Sequence, residues 1–107
     1  MKVEIKKNYV LISTNKAEFK ELKKYLELEE YKDQHIVFDL LACKSVQSED
    51  IDLFSEHFKI RAEQDLSSVI IVKNINLDRI EDQTMNIAPS LQEAEDILEL
   101  EMIHRLL

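Results

Sequence analysis

Apolar and polar positions along this chain repeat with two different periods, and the switches between them mark the elements. Val3 and Ile5 alternate with charged residues, which predicts an edge strand. Residues 9–13 form a continuous aromatic and β-branched run, which predicts a second, more buried strand. Lys6, Lys7 and Asn8 lie between them as a turn, with Asn8 expected to take the positive φ that glycine usually supplies. From Asn15 the period becomes helical. Asn15 reads as an N-cap, and Glu18, three residues on, completes a capping-box pattern. Phe19, Leu22, Tyr25 and Leu26 share one helical face, with Lys20, Lys23 and Lys24 on the other, up to an end near Glu30.

Residues 35–41 are nearly all apolar. A run without alternation predicts a strand buried on both faces. Ser48 is expected to cap a second helix, with Glu49, Asp50 and Asp52 in its first turn, where the helix dipole favours anions. The inward stripe of that helix is expected to be Ile51, Phe54, Phe58 and Ala62. Residues 68–72 read as a third central strand, residues 74–83 as a polar stretch with room for a short helix, and residues 85–88 as a last short strand. Pro89 and Ser90 open the final helix, with Ser90 as cap, Glu93 three residues later, and Leu91, Ala94, Ile97, Leu98 and Leu106 facing inward. The order β-β-α-β-α-β-(α)-β-α predicts a single α/β domain over residues 1–107. Its mixed sheet has parallel central strands and a hairpin at the start.

Composition narrows the chemistry. None of the 107 residues is glycine. A phosphate-binding P-loop, a dinucleotide turn and a nucleophile elbow each place glycine where the backbone is left-handed or meets a ligand closely, so none is present in standard form. The net charge is −8, unevenly spread: residues 1–32 hold eight Lys and six Glu (+2), and residues 33–107 hold six basic and sixteen acidic residues (−10). An acidic body disfavours nucleic acid as a partner. The single cysteine, Cys43, can form no internal disulfide, and no apolar stretch approaches the length of a membrane span. With a charged N-terminus that lacks a signal-peptide core, a cytoplasmic protein with no membrane partner is the expectation.

Three local motifs carry a family resemblance. The apolar strand closes with Asp39-Leu40. Gln47-Ser48-Glu49-Asp50 follows at the head of the second helix. Pro89-Ser90-Leu91-Gln92-Glu93-Ala94 joins the last strand to the last helix. In this order and spacing they resemble the STAS domain, the fold of bacterial anti-sigma-factor antagonists, over almost the whole chain. The resemblance implies a STAS-like mixed sheet with helices packed on it. It also implies a non-catalytic regulatory role in partner-switching signalling, exercised on a regulatory kinase or sigma-regulator protein, and it leaves room for a homodimer. Switch-type members carry a phosphorylated serine at the head of the second helix. By direct count that position is Glu49 here, and the following glycine is Asp50; a one-residue slip makes Ser48 the acceptor. A carboxylate supplies about −1 where a phosphate supplies −1.5 to −2, so the switch would be degenerate. Equally, Ser48, Glu49 and Asp50 are what any helix start prefers. The final motif is also similar to short bacterial proteins that carry the name ribonuclease Z, which would imply an accessory role in RNA processing. That enzyme's two-zinc His cluster has no counterpart, since His35, His57 and His104 are all more than 20 residues apart.

The remaining chemistry is sparse. Glu101 and His104 have the spacing of a di-iron ligand pair but occur once, and read as a surface pair. Cys43 lacks a nearby base and reads as a small hydrophobe. Glu93, Glu95, Asp96, Glu99 and Glu101 form an acidic run opposed by Arg105, either solvated or docked on a basic partner. Ligand sites in open α/β sheets gather at the carboxyl ends of strands. Asp39, Lys44, Ser48 and Asn74 are expected to cluster there, with Glu49 and Asp50, as a protein-partner surface or a site for a small anion or nucleotide. Asp39 could equally cap local amides. No catalysis and no cofactor are called for.

Overall fold

Five strands form one sheet in the order β1-β2-β3-β4-β5 in this computed structural model, which describes residues 2–15, 31–43 and 46–107. β1 (Lys2–Ile5) runs antiparallel to β2 (Val10–Asn15), and β2, β3 (Ile36–Ala42), β4 (Ser68–Ile71) and β5 (Asn86–Ala88) are all parallel. The starting hairpin and the parallel centre agree with the sequence. Asn15, expected as a helix cap, is the last residue of β2, and the helix expected up to residue 30 lies outside the described residues.

The alternation of side chains across a strand explains the two cores. Ile36, Phe38 and Leu40 of β3 point to one face, with Val10, Ile12, Ile70 and Val72 of the neighbouring segments. Val37 points to the other, with Tyr9, Leu11, Val69 and Ile71. The first face is covered by α1 (Ser48–Asp52) and α2 (Ser55–Glu63) through Ile51, Phe54 and Phe58, and by Ile80 of the β4–β5 connection. Phe38, Phe54 and Phe58 meet there, with ring centroids 5.6 to 6.2 Å apart. The second face is covered by α3 (Leu91–Leu106) through Ala94 and Leu98. The stretch at residues 74–83 does hold a short helix, a single 3-10 turn (Leu77–Arg79) capped by Asn76.

Five local expectations are corrected. The second helix is two helices, broken at Leu53 and Phe54, and Gln47 rather than Ser48 precedes it as N-cap. The inward stripe continues from Phe54 and Phe58 to Arg61, which is buried, and Ala62 is exposed. Leu106 is 86% exposed, because α3 runs past the part of the sheet it covers. Asn8 is not left-handed. The connection from Lys6 to Tyr9 is long enough to reverse the chain by an ordinary turn, closed by the Lys6 N–H donating to the Tyr9 carbonyl at 2.9 Å.

Among the described residues, positive φ occurs at Asp65 (61°) and Asn74 (59°). Asp65 follows α2. The Leu66 N–H donates to the Arg61 carbonyl (2.9 Å) and the Asp65 N–H to that of Ala62 (3.0 Å). This is the Schellman ending, with aspartate where glycine is usual.

Two measurements check this account. Phe38→Ala should lower the unfolding free energy by about 4 kcal/mol in urea titrations, while Leu106→Ala should change it by less than about 0.5 kcal/mol. Asp65→Gly should raise it by about 0.5 to 1 kcal/mol, because glycine takes the left-handed conformation without a Cβ clash.

Candidate functional site

The carboxyl ends of β3 and β4 are adjacent because the strands are paired and parallel. They bring Asp39, Cys43 and Asn74 to one end of the sheet, with the head of α1 beside them. A groove of about 370 Å³ is lined there by Leu40, Leu41, Cys43, Val46, Lys73 and Asn74. A second, of about 350 Å³, shares Lys73 and Asn74 and continues over Ile75, Leu77, Ile87 and Pro89. Lys44 lies outside the described residues.

The polar groups of this surface are largely occupied by nearby backbone. Asp39 Oδ1 accepts the Leu41 N–H at 3.0 Å, a local turn cap. Asp50 Oδ2 accepts the Gln47 N–H at 2.9 Å, which anchors the start of α1. Ser48 is 6% exposed, and its hydroxyl donates to the Asn76 carbonyl at 3.3 Å, tying α1 to the β4–β5 connection. Glu49 and Asn74 are the exposed members of the expected set. The Cys43 thiol donates to the Thr14 carbonyl at 3.6 Å, and burial, aided by the Asp39 charge, pushes it above its ordinary value. A thiol held protonated is a poor nucleophile, which suits a packing role. Two large apolar side chains are also exposed there, Leu41 at 44% and Leu77 at 50%, beside the exposed Lys73. Among the described residues no group of three His, Cys, Asp or Glu side chains is placed to hold a metal ion.

The opposite end of the sheet holds a polar cluster that the sequence did not reveal. Arg61, 6% exposed, donates through Nε to Ser68 Oγ at 2.7 Å and through Nη2 to the Gln34 carbonyl. Burial lowers its pKa to about 10, so it stays charged at neutral pH. Ser67 donates its hydroxyl to Glu101 Oε1 at 2.7 Å, and Asn86 Nδ2 donates to Glu101 Oε2 at 2.7 Å. The Ser67 N–H donates to His35 Nδ1 at 2.9 Å. Glu101 therefore leaves the acidic run and faces the sheet, while His104 is exposed, so the two do not form a pair. The signal for Arg61 was its spacing: 54, 58 and 61 continue the stripe as well as 62 does. Its charge argued against that position.

No helix among the described residues is long and apolar enough to cross a membrane. Comparison with protein-family models, with curated proteins and with solved structures finds no match for this chain.

Ser48 offers a direct test of the site's chemistry. Ser48→Ala should cost about 1 kcal/mol by loss of one hydrogen bond. Ser48→Asp should cost clearly more in the same urea titration, since it sets a carboxylate against the Asn76 carbonyl and beside Glu49 and Asp50.

Proposed function

We propose that this chain is a STAS-like recognition domain, without catalysis of its own, that presents the carboxyl end of its sheet and the head of α1 to a regulatory protein partner. The observation that carries this reading is the division of labour at that end. Asp39, Ser48 and Asp50 are engaged with backbone groups, while Leu41 and Leu77 stand exposed beside Lys73, Asn74 and Glu49. Apolar side chains ringed by a few polar ones suit a protein interface. The element order and the antiparallel first pair support the STAS resemblance. By that resemblance the partner is a kinase or sigma-regulator of the partner-switching kind. Glu49 would stand as a fixed carboxylate on the contact surface. Phosphorylation at Ser48 would require the head of α1 to open first, because the hydroxyl is covered.

Isothermal titration against such a kinase tests the reading. Leu41→Glu and Glu49→Lys should each weaken binding by about tenfold or more while leaving the urea midpoint close to that of the parent, as expected for truncated or reversed contacts at an interface centre. Unchanged binding in both variants would place the interface elsewhere. Tight binding of ATP by the free chain, lost in Lys73→Glu, would replace the protein-partner reading with a nucleotide site.

A further inference from the structure

We propose that His35 makes the docking of the second half of α3 depend on pH, with protonation of its imidazole releasing that part of the helix from the starts of β4 and β5. A chain of contacts links the imidazole to the helix. His35 is half-buried immediately before β3, and its Nδ1 accepts the Ser67 N–H at 2.9 Å. A ring whose Nδ1 accepts is neutral and carries its proton on Nε2. The same Ser67 holds α3: its hydroxyl donates to Glu101 at 2.7 Å, and the other Glu101 oxygen takes the Asn86 side chain. A proton on Nδ1 would turn an acceptor into a donor aimed at the Ser67 N–H.

The surroundings offer the new charge little relief. Arg61 faces His35 from α2 and Arg105 from α3, while Glu101, also from α3, is the opposing charge among the described residues. Arg105 is itself shared with Glu101 (4.0 Å) and with Asp65 of the loop before β4 (3.9 Å). Burial first, then the two guanidinium groups, hold His35 below its ordinary value, and Glu101 pulls the other way. The docked arrangement thus binds fewer protons than the released one. Its advantage is complete above the ordinary histidine value of 6.5 and is lost as pH falls from there toward the depressed one. One proton shifts such an equilibrium by at most about tenfold per pH unit.

The effect should stay in one part of the helix. The first half of α3 is fixed by its Ser90 cap and by Ala94 and Leu98 in the apolar face. The second half exposes Leu100 and Ile103, and its polar contacts with the rest of the fold are those of Glu101 with Ser67 and Asn86 and of Arg105 with Asp65.

Amide hydrogen exchange of the full chain tests this, corrected for the intrinsic rate and read residue by residue by NMR. Between about pH 7.5 and about pH 5.5, protection over residues 101–106 should fall by about threefold or more, while that of β3 and β4 holds. The midpoint of the fall should coincide with the titration of the His35 ring. His35→Asn, which keeps an acceptor near the Nδ1 position but does not titrate, should abolish it. Constant protection, a midpoint unrelated to His35, or an equal fall in His35→Asn would each overturn the proposal. If that variant does not fold, the two midpoints in the parent chain decide.

Discussion

β3 and β4 are apolar on both faces, and this requirement to keep both faces of the sheet from water governs the rest of the molecule. Ile36, Phe38 and Ile70 need cover on one side, and Val37, Val69 and Ile71 on the other. The four parallel strands follow one another in sequence order. Crossovers of one hand, stepping always in one direction, lie on one face. Accordingly, Ile51, Phe54, Phe58 and Ile80 from the connections all join the same cluster. Among the described residues the second face is covered by α3, which follows the last strand. Fully burying a side chain such as Val or Ile contributes about 1.5 to 3 kcal/mol, and several of them depend on this one helix.

The two ends of the sheet solve their polar requirements differently. At the carboxyl end, Asp39 and Asp50 serve amides two or three residues away and fix turns, while Ser48 and Cys43 each reach a distant carbonyl by one hydrogen bond. At the amino end the bonds span the chain: Gln34 and Ser68 meet Arg61, while Ser67 and Asn86 meet Glu101. That network joins β3, α2, β4, β5 and α3. Breaking a buried member leaves its partners unsatisfied, which costs more than the bond itself contributed. One end is therefore braced, and the other is left with exposed apolar side chains available for contact.

What could be read from the sequence was the part fixed by local pattern. The unalternated runs at β3 and β4 gave buried central strands, the alternation at Val3 and Ile5 gave an edge strand, and Ser90 with Glu93 gave the start of α3, where the Ser90 hydroxyl accepts the Glu93 N–H. What escaped was fixed by neighbours distant in sequence. Arg61 is inside because Ser68 and the Gln34 carbonyl are there to meet it, and nothing within the helix announces either. Glu101 looked like one more solvated acid because its partners lie 15 and 34 residues away. At the candidate site, Asp39 and Asn74 were placed correctly at the carboxyl end by strand order. The covering of Ser48 depends on the path of the β4–β5 connection, which its sequence leaves open.

The absence of glycine bears on where this fold can carry a function. A left-handed residue with a Cβ is strained unless its surroundings hold it, and aspartate and asparagine tolerate it best. The two described positions, Asp65 and Asn74, stand at opposite ends of the sheet. Asp65 ends α2 and hands the chain to Ser67, so its conformation sets the group that both His35 and Glu101 engage. Asn74 turns the chain out of β4 and along the grooves that Leu41 and Leu77 flank. Without glycine the backbone at neither turn can come close to a phosphate as a glycine-rich loop does, which leaves the chemistry of the carboxyl end to its side chains. The exposed side chains there include Leu41, Leu77, Lys73, Asn74 and Glu49, apolar groups beside one positive and one negative charge, a set that offers a small anion no concentration of positive charge.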